Sequence, residues 1–273
     1  MMSPEEREVL ERERAPLVFI TGASSGIGRA LAEAYAARGW RLALVARRAE
    51  VVQAWLAEAG IGAAQAQVHV ADVRDRAAII AAGTRCLIEQ GLPDVVIANA
   101  GISVGIDTAE REDLAVLEDL YATNVVGLAA TFHPFIRPMR LARRGTLVGI
   151  ASVAAIRGLP GHGGYCGSKA AVVSYCESLR IELREDRIRV VTLLPGFVDT
   201  PLTRGNRYPM PFLIDAAEFA RRALPVIDRG RRHAVIPWPM GVLAGLMRLV
   251  PRALWDRIIA GRGRKARRGE PGH

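Results

Sequence analysis

Short apolar runs alternate with helical patterns through the first two hundred residues of this chain, and this alternation restricts the possible folds. Neighbouring parallel strands need a long crossover connection, which is usually a helix. Strands that are apolar along their whole length are typical of a sheet covered by helices on both faces. The sequence therefore predicts an α/β fold with a parallel sheet. Its predicted strands are residues 15–21, 41–47, 66–72, 93–101, 145–152 and 188–196, with a shorter candidate at 233–237.

The helical patterns between these runs have apolar residues three and four positions apart. A chain of 273 residues fits one large domain, and we assign it to residues 15–237. Residues 1–14 form a charged lead-in with no apolar run, so we do not expect them to act as a secretory signal. Residues 238–273 form an amphipathic, basic extension. The predicted helices are 27–39, 51–60, one that ends near residue 88, one from 112 into the 130s, and 164–185.

Charge and cysteine content exclude several classes of protein. The last seventeen residues contain six basic residues and a single acid, so the net charge of +9 comes mainly from this C-terminal tail. We therefore expect no nucleic-acid binding by the folded body. The three cysteines form no CxxC pair and the five histidines have no ligand spacing, so we expect no disulfide framework and no metal site. A reducing, cytoplasmic setting fits this composition.

The first predicted strand runs into TGASSGIG, residues 21–28, where a helix begins. Glycines at 22, 26 and 28 permit a tight turn and let backbone N–H groups approach a pyrophosphate at the helix N-terminus. A single glycine loop is a weak signal, because many turns between a strand and a helix contain glycine. Its position after the first strand of a βαβ unit favours dinucleotide binding.

The end of the second strand indicates which dinucleotide the chain would bind. An acid there would accept a hydrogen bond from a ribose 2′-hydroxyl and repel a phosphate. Here the strand ends in Ala46, Arg47 and Arg48, and guanidinium groups match phosphate oxygens in pairs. The sequence therefore predicts NADP(H). A solvated basic turn without a role is the alternative.

The full motif set resembles the short-chain dehydrogenase/reductase family over about residues 15–200. The motifs occur in order: TGASSGIG at 21–28, NAG at 99–101, Asn124, Ser152, YxxxK at 165–169, and PG at 195–196. The resemblance implies a Rossmann-type doubly wound parallel sheet of about seven strands with helices on both faces. It also implies an NAD(P)-dependent oxidoreductase that forms homodimers or homotetramers.

The same resemblance assigns cofactor contacts. Asp72 would meet the adenine, Asn99 would support the NAG turn, and Thr200 would contact the nicotinamide amide. The predicted cofactor-binding residues are Gly22, Ser24, Ser25, Gly26, Ile27, Gly28, Arg47, Arg48, Asp72, Val73, Asn99, Ala100, Gly101, Tyr165, Lys169, Pro195, Gly196, Val198 and Thr200.

Tyr165 and Lys169 lie four residues apart on a predicted helix and so share one face. A free tyrosine has a pKa near 10, and a nearby ammonium would lower that pKa toward neutrality. We expect Tyr165 to act as general acid/base and Ser152 to hold the substrate oxygen. The resemblance gives Lys169 the ribose hydroxyls and Asn124 a water of a proton relay. Lys169 and Lys265 are the chain's only lysines, which favours a need for a compact ammonium at position 169.

Residues 197–215 follow the PG motif and are irregular and rich in apolar side chains, which suggests a lid over a hydrophobic carbonyl or alcohol substrate. Ordinary packing of this segment on the sheet is the alternative. A lipid-like, steroid-like or acyl substrate would fit, and 3-oxoacyl carrier-protein reductase is the second candidate activity. The candidate pocket residues are Leu202, Tyr208, Met210, Phe212, Leu213 and Ile214.

The extension at 238–273 leaves two interpretations open. Its apolar clusters, broken at Pro251 and flanked by arginines, suit a helix docked on the body or on a second subunit, followed by a disordered basic end. They also suit peripheral contact with an anionic membrane surface. We favour docking. A regulator that binds NADP(H) without chemistry is the alternative from another class, and it would be expected to lack Tyr165 or Lys169.

Overall fold

A computed structural model describes residues 15–206, 209–261 and 263–270. Its main sheet has seven parallel strands in the order β3-β2-β1-β4-β5-β6-β9, which confirms the predicted fold class. The charged lead-in at 1–14 lies outside the described residues. The strands of this sheet are β1 (Leu17–Thr21), β2 (Arg41–Ala46), β3 (Ala66–Val70), β4 (Val95–Ala98), β5 (Thr146–Ile150), β6 (Arg189–Pro195) and β9 (His233–Ile236).

A small parallel pair, β7 (Val198–Asp199) and β8 (Ile214–Asp215), closes the base of the segment that we predicted as a lid. The helices in the described part of the chain are α1 (Gly26–Ala36), α2 (Ala49–Glu58), α3 (Arg76–Glu89), α4 (Glu112–Tyr121), α5 (Gly127–Ala142), α6 (Gly163–Glu182), α7 (Ala216–Asp228), α8 (Trp238–Leu249) and α9 (Arg252–Ile259).

Two hydrophobic cores lie on opposite faces of the sheet because side chains alternate along each strand. In β1, Val18 and Ile20 pack in one core, whereas Leu17 and Phe19 pack in the other. The first core takes side chains from α1, α2 and α7, and the second takes them from α3, α5 and α6. Both faces are covered, which explains why the strands are apolar throughout.

The strand order reverses between β1 and β4, which are neighbours in the sheet. Chain segments leave the carboxyl ends of these two strands in opposite directions, and such a switch point opens a crevice. We call this side of the sheet the carboxyl edge. The predicted site motifs all follow strands that end there.

The long helix that we predicted from residue 112 into the 130s is not continuous. A π-helical turn, Ala122–Val126, interrupts it between α4 and α5. Such a turn adds one residue to the helical ring and often occurs at functional sites. It contains Asn124, which the sequence pattern could not place in anything but a regular helix.

The C-terminal segment docks on the body, as favoured above, and its basic end is ordered in the described part of the chain. Residues 263–270, which we call the strap, cross the carboxyl edge and form a parallel bridge between Arg267 and Gly105. The prediction of a disordered basic end is therefore wrong for these residues, because carboxylates on and before α4 hold the arginines. The ion pairs are Arg264–Asp107 at 3.1 Å, Arg267–Asp113 at 2.6 Å and Arg268–Asp119 at 2.8 Å.

Candidate active site

A cavity of about 520 Å³ lies at the carboxyl edge, where the loops after β1 to β6 meet. It collects nearly every residue that the motifs pointed to. Gly28 and Asn124 are the two exceptions, and neither lines the wall. The predicted residues that line it are Gly22, Ser24, Ser25, Gly26, Ile27, Arg47, Arg48, Asp72, Val73, Asn99, Ala100, Gly101, Ser152, Tyr165, Lys169, Pro195, Gly196, Val198 and Thr200.

The glycine loop turns sharply between β1 and α1. Gly22 and Gly26 adopt φ of 71° and 56°, which is left-handed backbone that glycine enters without steric cost. Gly28 is needed for a different reason: a Cβ there would collide with the Gly22 carbonyl oxygen and the Asn99 side chain. Gly28 therefore supports the loop from behind rather than facing the cavity.

Thr21 and Asn99 tie the glycine loop to the neighbouring NAG turn. The Asn99 amide donates to the Thr21 carbonyl oxygen at 3.0 Å, and the Thr21 hydroxyl accepts from the backbone N–H of Asn99 at 3.1 Å. Through these bonds Asn99 holds the two loops together. The sequence analysis missed Thr21, although a threonine at the end of an otherwise apolar strand was a visible signal.

The N-terminus of α1 faces the cavity without a capping side chain. Ser25 precedes the helix but makes no side-chain cap, and the first turn contains no acid. By contrast, Asp75 caps α3 and Asp215 caps α7. The uncapped backbone N–H groups of α1 carry the positive end of the helix dipole, and such groups suit a phosphate.

Ser152 and Tyr165 come together on the cavity wall. Ser152 follows β5 and begins a single 3₁₀ turn, where its hydroxyl accepts from the Ala154 backbone N–H at 3.1 Å. Tyr165 lies in the first turn of α6 and hydrogen-bonds the Ser152 side chain. Burial raises the pKa of Tyr165 above its ordinary value, and the hydrogen bond to Ser152 opposes that shift.

Lys169 lies one turn further along α6 and is 4% exposed. Its ammonium donates to the Ile150 carbonyl oxygen at 2.9 Å and lies 5.9 Å from the centre of the Tyr165 ring. Burial lowers the pKa of Lys169 to about 8. The expected ammonium-driven fall in the pKa of Tyr165 is absent here, because burial of the phenol outweighs every other influence on it.

Asn124 lies behind the wall, and its side-chain amide is fully used by the protein. Its Oδ1 accepts from the Ile102 backbone N–H at 2.9 Å, and its Nδ2 donates to the Ile102 carbonyl and to the Ser168 hydroxyl. The Ser168 hydroxyl in turn donates to the Tyr165 carbonyl oxygen at 2.8 Å. The described contacts therefore make Asn124 a brace between the loop after β4 and the helix that carries Tyr165.

The opposite end of the cavity is lined with charge. Arg74 donates to Asp72 at 2.8 Å and to Asp119 at 3.2 Å, and Arg47 lies 3.8 Å from Asp72. Hydrogen bonding from Arg74 holds the pKa of Asp72 below its usual value. Arg48 is exposed beside them. Arg74 was not among the predicted residues. It follows an apolar strand and Asp72, and in the sequence this pattern looks the same as that of any solvated turn.

The predicted substrate pocket is only partly present. Leu202 lines the cavity, whereas Met210, Phe212, Leu213 and Ile214 do not. Ile214 instead forms β8 and packs on the core, and Phe212 and Leu213 are exposed. Tyr208 lies outside the described residues. The additional apolar residues of the substrate end are Ile102, Val104 and Pro201.

Two residues of the strap contact the cavity or the loop beside it. Lys265 is 8% exposed and donates to Asn206 Oδ1 at 2.6 Å and to the Leu202 carbonyl oxygen at 3.3 Å. Arg268 lines the cavity while it pairs with Asp119. Neither residue was among the predicted site residues, because the basic end was expected to be disordered.

A family model described as short chain dehydrogenase matches residues 16–210. The match spans strands β1 to β7, the glycine loop and the helix with Tyr165 and Lys169. The chain belongs to the short-chain dehydrogenase family. Its members are oxidoreductases that bind nicotinamide cofactors.

Two relatives and one solved structure are similar to this chain. An uncharacterised oxidoreductase from Myxococcus xanthus is 37% identical over 238 residues, which cover 87% of this chain and 94% of that protein. A 3-ketodihydrosphingosine reductase from Bacteroides thetaiotaomicron is 29% identical and covers 86% of this chain and 84% of its own length. A short-chain dehydrogenase from Burkholderia phymatum, solved with NAD, matches with a TM-score of 0.77 at 24% identity, covering 85% and 92% of the two chains.

The residues of this short-chain dehydrogenase fit a nicotinamide dinucleotide in the cavity. The uncapped N-terminus of α1 suits the pyrophosphate. β2 and β5 stand three strands apart, so their carboxyl ends are separated by roughly 14 Å. This spacing separates a charged end at Arg47 from a hydroxyl-bearing end at Ser152. A dinucleotide with an adenosine half and a nicotinamide half matches that division.

Proposed function

We propose that this chain is an NADP(H)-dependent oxidoreductase that transfers hydride between the nicotinamide and a hydrophobic carbonyl or secondary alcohol. One observation carries the proposal: Ser152, Tyr165 and Lys169 line the same cavity as a cluster of arginines. Oxidoreductase chemistry follows from the family. The cofactor preference and the substrate class are the parts that we add.

Each polar residue at the substrate end has one task in this proposal. Ser152 holds the substrate oxygen, where charge develops as the carbonyl is reduced. Tyr165 gives that oxygen its proton, and the hydrogen bond between the two residues orients the phenol. Lys169 supplies a buried positive charge beside Tyr165 and a donor for the nicotinamide ribose. When bound, the nicotinamide supplies or accepts the hydride.

Asn124 acts through position rather than contact in this proposal. It fixes Ile102, which lines the cavity, and it orders Ser168 beneath the turn that bears Tyr165. A displaced phenol would lose the short approach that proton transfer requires. Asn124 is therefore a positioning residue.

The charge at the far end supports NADP(H) over NAD(H). β2 ends without an acid to accept from a ribose 2′-hydroxyl. Arg47 is 63% exposed and its guanidinium makes only a long contact to Asp72, so it can turn to a phosphate. Arg74 is already neutralised by two carboxylates, which leaves Arg47 and Arg48 as the 2′-phosphate ligands.

The substrate end supports an apolar substrate. Ile102, Val104 and Leu202 line it together with Pro201, and Ser152 and Tyr165 supply hydroxyl groups for a substrate oxygen. Pockets of this kind bind an apolar body and orient it through a few polar contacts. The relative named as a 3-ketodihydrosphingosine reductase acts, by its name, on a lipid ketone. A long-chain ketone is therefore the first substrate to try, and a 3-oxoacyl thioester is the second.

The test is NADPH oxidation with a panel of long-chain ketones, apolar aldehydes and a 3-oxoacyl thioester. Tyr165→Phe should lower kcat by about a thousandfold, because the proton donor is lost, while NADPH still binds. Tyr175→Phe is the matched control: this tyrosine lies on the same helix, packs against the core, and does not line the cavity. NADPH binding without turnover of any panel member by the native protein would favour a regulator.

The cofactor preference has its own test. The native protein should use NADPH with a kcat/KM at least about tenfold above that for NADH, since charge-assisted bonds to a phosphate are strong. Arg47→Glu with Arg48→Glu should reverse this order by repelling the phosphate. Arg231→Glu with Arg232→Glu controls for the added negative charge, because these adjacent arginines are exposed and do not line the cavity. Equal efficiency with both cofactors in the native protein would show that the arginines do not select.

A further inference from the structure

Helix α8 is apolar on its exposed side as well as on its buried side. Met240 and Ala244 are buried against the body. Trp238, Val242, Leu246 and Leu249 fall within about a quarter of the helix circumference on the other side, and Trp238 and Leu249 are 73% and 79% exposed. A helix that is apolar all round normally has a partner on both sides.

The next helix also exposes apolar side chains. Trp255 and Ile259 of α9 are buried, whereas Leu254 and Ile258 are exposed one turn apart. The Arg157 guanidinium stacks on the Trp255 ring and donates to the Val250 carbonyl oxygen, which fixes the α8–α9 connection to the body. We call the six exposed side chains the docking face: Trp238, Val242, Leu246, Leu249, Leu254 and Ile258.

Exposed arginines accompany the docking face. Arg248 lies in the last turn of α8, and α9 contains Arg252 and Arg257 together with the single acid Asp256. Apolar side chains with a tryptophan and a fringe of arginines are the composition of helices that lie in a membrane interface. We propose that the docking face binds the surface of a membrane containing anionic lipid.

The charge around the docking face favours an anionic membrane over a second copy of the chain as its partner. A two-fold contact through α8 and α9 would bring the same three arginines and one acid from each copy together, with little charge complementarity. An anionic lipid surface matches these arginines. Helices α4 to α6 lie elsewhere in the sequence and stay available for contact between subunits.

The strap does not cover the docking face either. Its arginines are bound to Asp107, Asp113 and Asp119, on and before α4. The described part of the chain contains no helix that is long and apolar enough to cross a membrane. Contact through the docking face would therefore be peripheral, with α8 and α9 lying along the surface.

The proposal is independent of the proposed function, and vesicle flotation of the full chain tests it. The native protein should float with vesicles of phosphatidylcholine and phosphatidylglycerol in a 7:3 ratio, and less with phosphatidylcholine alone. Val242→Asp with Leu246→Asp should weaken binding at least about tenfold, because two charges would enter the apolar layer. Ile88→Asp with Leu141→Asp is the matched control, since both of these leucine-sized side chains are exposed on other helices.

Tryptophan fluorescence gives a second readout. Trp238 is strongly exposed, whereas Trp55 and Trp255 are buried and Trp40 is partly buried, so a blue shift on vesicle addition would report mainly on position 238. The shift should vanish in Trp238→Phe, while flotation of that variant persists. Circular dichroism of each variant checks that the helices remain.

Other outcomes would overturn the proposal. If the native protein stays unbound to both vesicle types, the docking face is not a membrane contact. If it stays unbound and Val242→Asp with Leu246→Asp converts an oligomer to a smaller species in light scattering, the face joins copies of this chain. Equal flotation of the docking-face variant and its control would place the membrane contact elsewhere.

Discussion

The carboxyl edge of the sheet and the strap each bury one of the chain's two lysines, and they use the cation differently. Lys169 donates to the Ile150 carbonyl on the wall of a cavity, next to a tyrosine. Lys265 donates to Leu202 and Asn206 and joins two chain segments. In both places the described partners are neutral oxygens, whereas the arginines of the strap pair with carboxylates. The compact ammonium of lysine suits neutral oxygens, and the guanidinium fork of arginine suits carboxylates.

Replacing each lysine by methionine gives the sharpest contrast between the two regions. Lys169→Met should lower kcat by about a hundredfold or more, because the charge beside Tyr165 and a ribose donor are lost. Lys265→Met should leave kcat within about twofold, since Lys265 does not line the cavity. Steady-state kinetics with NADPH and one panel ketone measures both effects.

Lys169→Arg makes the same comparison stricter. The guanidinium of arginine is wider than the ammonium of lysine. The space around Lys169 Nζ is limited, since a Cβ added to Gly101 would lie 3.4 Å from it. We therefore expect arginine to restore little of the lost activity. Native kcat in this variant would contradict the argument for a compact cation.

The pH dependence should also separate the two regions. Burial raises the pKa of Tyr165, so the phenol keeps its proton at neutral pH. Carbonyl reduction needs that protonated form and should be nearly constant between about pH 6 and 8, whereas alcohol oxidation needs the phenolate and should rise about tenfold per pH unit. Initial rates in both directions measure this difference.

The control for the pH profile is again Lys265. Burial lowers the pKa of Lys265 as well, but its ammonium touches no reacting group. Lys265→Met should therefore leave both profiles unchanged. An oxidation rate that does not vary with pH would remove Tyr165 from the proton-transfer step.

The smallest expected effect concerns how the strap holds the loop at 202–206. Lys265→Met leaves the Asn206 side chain without its cation, and we expect the melting temperature to fall by about 3–6 °C. KM for the ketone should rise a few-fold, because Leu202 lines the cavity and loses its tie. Arg257→Met, on the exposed side of α9, is the control. An unchanged melting temperature would mean that the strap contributes no rigidity to this loop.

The carboxyl edge was predicted from the sequence far better than the strap. The reason is the separation along the chain between the residues that contact each other. Each strand is a local apolar run, and the glycine loop and the YxxxK motif encode their geometry within a few residues. The strap instead depends on pairs between residues about 150 positions apart, which are formed by Arg264, Arg267 and Arg268. A pattern within a few residues does not predict such pairs. The π-helical turn at Asn124 was also not predicted from the sequence, because its hydrogen-bonded ring differs from that of a regular helix by only one residue.

The strap has a consequence for local opening of the protein. It is held to the body by exposed ion pairs, by the bridge at Gly105 and by the hydrogen bonds of Lys265. Segments held mainly by exposed contacts open more readily than a packed core. Release of the strap would free the Leu202 carbonyl oxygen and Arg268 together, so both ends of the cavity would loosen in a single event.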